Sequence, residues 1–208
     1  MRNYSSKFLR NFIKGNILSF YIILFVLVTL SSGCASFSNK RIRHSVKKLT
    51  PDNLSELTGT YSFSPDFSYD KRGNPEKITS GIEKDYFYQY VSKKEIKIDS
   101  GDRYFIALTH LKRDSIAISI KKGNLTIDSL ILLGRLQSRG LLKIGKMEVK
   151  THGIPYLLGG TQSKKTRIGL AKDGGLILNH AVDGSGAFLL FIWAGRGYDL
   201  AYHFKRVN

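Results

Sequence analysis

Cysteine is nearly absent from this sequence: Cys34 is the only one in 208 residues, so no internal disulfide can brace the fold. A structural zinc site of the usual cysteine spacing is excluded with it. Proline is scarce, and four prolines beside 20 glycines rule out a collagenous or proline-rich chain. Acids number 16 against 33 lysines and arginines, a formal net charge of +17, and so basic a surface favours acidic partners. No apolar run is long enough to span a membrane. The longest, residues 17–30, reaches about 21 Å as a helix, short of the ~30 Å hydrocarbon core. His44, His110, His152, His180 and His203 are scattered without His-x-His or His-Glu-x-x-His spacing, so neither a metal nor another cofactor is expected. His180 and His203 fall on neighbouring C-terminal strands, where packing rather than ligation is expected. A Gly-x-Ser-x-Gly elbow, a phosphate loop, a dinucleotide fingerprint and a placeable carboxylate pair are all missing, so an enzyme is not expected.

What is present begins with export. Arg2, Lys7, Arg10 and Lys14, with no acid among them, precede the apolar run, and Ser31, Ser32 and Gly33 follow it. That is the order of a secretory signal peptide, so residues 1–33 are expected to be removed, leaving a mature charge of +13. Lys40, Arg41, Arg43, Lys47 and Lys48 then crowd a stretch, residues 34–48, too polar to make a core of its own. Two readings stand for it. It is a tether drawn to an anionic leaflet by about 1 kcal/mol per basic residue, or a plain solvated linker. Nucleic acid is a poor partner for an exported chain, although the charge alone suits it.

Residues 49–208 read as one domain with 42% hydrophobic and 24% charged residues in the whole chain, near globular averages. Thr50, Pro51 and Asp52 start a short helical turn that places Leu54 and Leu57 on one side. Residues 59–63 read as a strand, and 64–81, rich in Ser, Pro, Asp, Gly and Asn, as a long loop. The spacing of Ile82, Tyr86 and Tyr90 predicts a short amphipathic helix over 82–92. From residue 102 the period is two, with turns at short intervals. Ile116, Ile118 and Ile120 alternate with small or polar residues, and Gly123-Asn124 marks a hairpin. Residues 161–165, 183–186 and 195–197 read as further turns. Residues 188–193, apolar on both faces, read as a central strand or as one that lines a hydrophobic interior while packing outside as well. With no room for helical crossovers the sheet must be antiparallel. The expected fold is therefore all-β: an antiparallel meander of about 8–10 strands, closed or nearly closed into a barrel because closure removes aggregation-prone edges, with one or two short helices near its N-terminal end.

The junction Leu30-Ser31-Ser32-Gly33-Cys34-Ala35 resembles a bacterial lipobox. The resemblance implies a diacylglycerol on the Cys34 thiol, cleavage after Gly33 and acylation of the new amine. With Ala35 rather than Asp next, it also implies delivery to the outer membrane. Farther on, Leu57-Thr58-Gly59-Thr60-Tyr61 has the look of the Gly-x-Trp first strand of lipocalin-like domains in bacterial lipoproteins of the Bacteroidetes type, with Tyr61 in the Trp position. Arg206 matches the last-strand Arg that packs over that ring, a contact worth ~0.5–2 kcal/mol. The likeness implies barrel closure through Gly59, Tyr61 and Arg206, and a cup for a small hydrophobic ligand such as a lipid or acyl chain. If the barrel is hollow, Phe105, Phe188, Phe191 and Trp193 are expected to line it. If it is filled, the chain is a structural or interaction protein docking its positive surface on an anionic envelope polymer or a protein partner.

Overall fold

The computed structural model describes residues 19, 21, 24, 37–78, 86–99, 101–112, 114–154, 158–188 and 192–207, with the backbone alone at 146–148, 151–154, 158–161, 185–188 and 192–196. Apart from those first three residues the expected signal segment lies outside the described residues, as do Cys34 and Phe191. The body that follows falls within Ala35–Asn208.

Strand β1 (Val46–Lys47) and a 3-10 turn, Pro51–Leu57, lead into β2 (Gly59–Ser62). Pro51 opens the turn with a φ already suited to it. Asn53 Oδ1 accepts from the Thr50 N–H at 2.6 Å, and Leu54 and Leu57 are buried. A small hairpin, β3 (Phe67–Tyr69) and β4 (Pro75–Lys77), then stands inside the stretch that composition predicts as loop. Asp70 explains it. Its Oδ1 accepts from the N–H groups of Arg72, Gly73 and Asn74 at 2.7, 2.6 and 2.8 Å, folding the turn tightly enough for two three-residue strands to meet. Those bonds, the one from Asn74 first, hold its carboxyl below the usual range. A second 3-10 turn, Phe87–Tyr90, stands where a helix over 82–92 is predicted, and residues 79–85 lie outside the described ones.

The meander proper is β5 (Tyr104–His110), β6 (Ser115–Lys122), β7 (Leu125–Leu136), β8 (Leu142–Ile154), β9 (Leu158–Ala171), β10 (Leu176–Phe188) and β11 (Ile192–Phe204). All eleven strands belong to one antiparallel sheet in the order β2-β5-β6-β7-β8-β9-β10-β11-β3-β4, with β1 beside β9. The last four strands are 13 or 14 residues long, because three stretches expected as turns are strand interior. Asp183 pairs with both Gly197 and Ser163, and Gly184 with both Arg196 and Gln162. Turn formers end a strand only where its neighbours also let go, and here glycine and small polar residues stand opposite one another across three ladders. The expected strand over 188–193 is not continuous either: β10 ends at Phe188 and β11 begins at Ile192, which pair with each other, and residues 189–191 lie outside the described residues.

The sheet is neither closed nor strongly curled, which corrects the expected barrel. The edge of β11 that closure requires is occupied: β3 pairs with it at Tyr202 and His203. Only an isolated bridge, Tyr61 with Arg206, joins it to β2, flanked by the Ser62 N–H to Lys205 O bond at 2.8 Å and the Val207 N–H to Thr60 O bond at 2.8 Å.

One face carries the main core. Ile106, Ile118, Leu142, Ile168, Leu178 and Phe204 meet there, with Leu54, Leu57, Phe87 and Tyr88 from the two 3-10 turns. Burying each such side chain contributes about 1.5–3 kcal/mol. A smaller cluster on the opposite face joins Ile42, Tyr69, Leu141, Ala171, Ile177 and Ala201. Residues 42–47 pack onto this body as well: Ile42 is 1% exposed, and Val46 and Lys47 pair with Ala171 and Leu170.

Candidate functional site

β7 and β8 pair only at Gly134–Ile144, Arg135–Lys143 and Leu136–Leu142. Beyond that point β8 stays with β9 after a register shift between Ile144 and Glu148, and Gly145 takes φ +70°, a conformation glycine reaches without steric cost. Residues 89–93, the end of the second 3-10 turn and the residues after it, lie against the core-side face here and border a cavity of about 660 Å³. Gln89, Tyr90, Val91, Ser92 and Lys93 line it from one side. Leu132, Ile144, Gly145, Lys150, Lys164, Thr166, His180 and Tyr198 line it from the sheet. That volume falls in the range of small-molecule sites.

Its polar floor is built to be neutral. Thr166 Oγ1 donates to Tyr90 O at 3.0 Å, so at 2.9 Å from His180 Nδ1 it accepts the imidazole N–H, leaving Nε2 as an acceptor. Burial, with the Lys164 charge second, pushes the His180 pKa down to about 4. The rim is cationic: the described lining residues include Lys93, Lys150 and Lys164 and no carboxylate, while Glu148 stands opposite Lys164 in the ladder. The apolar walls of Tyr90, Val91, Leu132 and Ile144 beside a basic rim suit an amphipath with an anionic head.

The structure brings three of the singled-out residues together. The Arg206 guanidinium lies 5.6 Å from the Tyr61 ring centre, its Nη1 donates to Glu56 O at 3.2 Å and its Nη2 to Thr58 O. A Cβ at Gly59 would come 2.7 Å from Arg206 Nη2, so glycine leaves the room that this guanidinium fills. The proposed cup-lining aromatics do not gather at the cavity. Phe105 stands on the face of β5 opposite Tyr104, Ile106 and Leu108, which are buried in the core, because its odd position puts it out of phase with them. Trp193 pairs with Ala187, seven residues up β11 from the Leu200–His180 pair, or about 23 Å at ~3.3 Å per residue. Phe188 is one row farther still, and Phe191 lies outside the described residues. His180 and His203 do not face each other: His180 is on the cavity side, and His203, paired with Ile177, is on the other. There it stacks on Phe67 with ring centres 4.3 Å apart, between Asp66 at 2.7 Å and Asp173 at 3.1 Å.

The basic N-terminal residues divide by role. Arg41 turns inward, with Nε 3.3 Å from Asp199 Oδ2 and Nη1 donating to Tyr69 O at 2.8 Å. Lys47 pairs with Glu56 at 2.6 Å. Lys40, Arg43 and Lys48 are exposed and, with Arg139, line a hollow of about 830 Å³ on the second face. Beneath this segment runs a buried chain in which Arg167 Nε donates to Asn179 Oδ1 at 2.6 Å, and Asn179 Nδ2 donates to Asp199 Oδ1 at 2.5 Å. Burial lowers the Arg167 pKa to about 10 and raises that of Asp199 against the pull of Asn179 and both arginines.

Comparison with known protein families, curated proteins and solved structures gives no match. The chain is a mostly-β protein with a large antiparallel sheet, and no family is identified. Sequence reasoning missed Lys150, Lys164, Thr166 and His180 as one group. The signal available was the run Lys164, Thr166, Ile168, Leu170, which passes from charged to apolar along one face of a strand, and it was hidden by treating 161–165 as a turn.

Proposed function

We propose that this chain is a lipid-anchored envelope protein that binds a small amphipathic ligand, an apolar chain ending in an anionic group, against the core-side face of its sheet. The observation that carries this reading is the cavity of about 660 Å³ bearing Lys93, Lys150 and Lys164 beside Tyr90, Leu132 and Ile144. Apolar burial supplies affinity at ~25 cal/mol per Å² before losses of motional freedom, and the lysines select the head. The mechanism is passive holding, without chemistry. The lipobox resemblance favours anchoring through Cys34 at the outer membrane.

Native mass spectrometry of protein extracted from its own membrane tests the binding. The account expects an acidic amphipath to be retained, and expects a Lys150→Glu, Lys164→Glu variant to bind it at least roughly tenfold more weakly, the equivalent of ~1.4 kcal/mol. Protein that emerges empty under conditions that keep the fold would contradict it. Anchoring has its own test. Cys34→Ala is expected to abolish palmitate incorporation, since the thiol that would carry the acyl chains is gone. Unchanged labelling would refute it.

A second reading is favoured by the hollow lined by Lys40, Arg43, Lys48 and Arg139: the N-terminal face docks on an anionic envelope polymer or protein. Binding of that kind weakens steeply as salt rises, whereas the apolar share of cavity binding does not.

A further inference from the structure

Beyond the cavity, β8, β9, β10 and β11 continue as a four-stranded extension whose register is continuous to its end. The outermost row is Ile154, Leu158, Phe188 and Ile192, paired in that order. Behind it come the rows Gly153-Gly159-Ala187-Trp193, His152-Gly160-Gly186-Ala194 and Thr151-Thr161-Ser185-Gly195. None of these sixteen residues carries formal charge at neutral pH. Charge begins in the next row, with Lys150 and Arg196, and continues with Asp183, then Glu148 opposite Lys164, then Lys165.

In a chain of net charge +17, such an ordering by depth is not that of a face meeting water. We infer that the end of this extension docks on an anionic lipid leaflet, with the row Ile154-Leu158-Phe188-Ile192 in the headgroup–acyl boundary and Lys150 and Arg196 at the phosphates. The four-residue step from the apolar row to the Lys150 row is about 13 Å at ~3.3 Å per residue, commensurate with an insertion of ~5–10 Å plus a headgroup layer. Trp193, one row behind the tip, occupies the level that tryptophan favours at membrane interfaces. The same geometry limits the depth. Beyond Ile144 the outer edge of β8, and from 192 to 201 that of β11, have no strand partner among the described residues, and hydrocarbon does not tolerate unpaired backbone N–H and C=O groups. The extension dips and stops; it does not span.

Trp193 is the only tryptophan, so it reports on this tip alone. The full chain with Cys34→Ala, which cannot be acylated, is mixed with phosphatidylglycerol or phosphatidylcholine vesicles carrying bromine high or deep on the acyl chain. The expected result is a blue shift of Trp193 emission, quenching stronger from shallow than from deep bromine, preference for phosphatidylglycerol, and loss of that preference at high salt. Phe188→Asp with Ile192→Asp should abolish the quenching, and Arg196→Glu should weaken the preference for phosphatidylglycerol while leaving the tip sequence and the cavity lining intact. Emission that ignores both vesicles while the leader holds the chain on them would overturn the proposal. So would stronger quenching from deep bromine, or a blue shift that follows protein concentration without lipid, which assigns the tip to a second copy. The inference shares Lys150 with the cavity, whose ligand is detected by mass rather than by Trp193.

Discussion

Replacing Tyr61 by alanine is expected to lower the free energy of unfolding by about 3–5 kcal/mol, the loss typical of a large buried aromatic. Tyr61 is 0% exposed, and three connections converge on it. Its ring packs into the main core with Leu57 and Phe204, its hydroxyl donates to Leu57 O at 2.9 Å, and its backbone forms the one bridge between β2 and the residues after β11. Burial raises the phenol pKa above its usual value, against the pull of Arg206, so the hydroxyl remains a donor throughout the neutral range. Against a domain stability of about 5–15 kcal/mol, the alanine variant should unfold at far lower urea, and a marginal parent would not survive it. Tyr61→Phe separates the contributions: it keeps the ring and strands the Leu57 carbonyl, at a cost of about 1–3 kcal/mol. Urea titrations of the three proteins check this. An alanine variant within about 1 kcal/mol of the parent would mean that the ring fills no essential space.

Acid should destabilise the fold through His180, and the sign follows from its burial. The unfolded chain takes up a proton near the ordinary histidine pKa of 6.5, whereas the folded protein resists until about 4. Between those values only the unfolded state is protonated, so stability is fully present above the window and falls as pH drops through it. At about 1.4 kcal/mol per pH step, moving from pH 7 to pH 4 removes about 3 kcal/mol. His180→Gln should lack this component while keeping the contributions of the carboxylates, so the difference in urea midpoint between parent and variant should narrow from pH 7 to pH 4.5. Parallel pH profiles for the two proteins would show that His180 is not held neutral.

How far the chain could be read in advance depends on whether its instructions are local. Ile116, Ile118 and Ile120 are buried on one side of β6, and Gly123, with φ +58°, turns that strand into β7. Alternation and a turn dipeptide carry that hairpin without outside help. The N-terminal segment was opaque for the opposite reason. A single Ile42 among basic residues gives no periodic signal, and what holds it is remote: Arg41 meets Asp199, and β1 adds to β9. Asp183, Gly184 and Gly186 have the composition of a turn, yet they are strand because Ser163, Gln162 and Gly160 stand opposite them, a fact belonging to another part of the chain. The cavity was illegible for the same reason, since Thr166, His180 and Tyr90 meet across a strand pair and a strap. Only the Tyr61–Arg206 pairing, which also spans the chain, was accessible through a family resemblance.

The most direct test of ligand binding in the cavity is a titration of the protein with palmitate and, separately, with the alcohol of equal chain length, following the His180 ring resonances by NMR at pH 7. The account predicts that palmitate saturates the shift at lower concentration than the alcohol, that the advantage disappears in Lys150→Glu, Lys164→Glu, and that His180 stays neutral throughout. His180 resonances that respond to neither compound would contradict it.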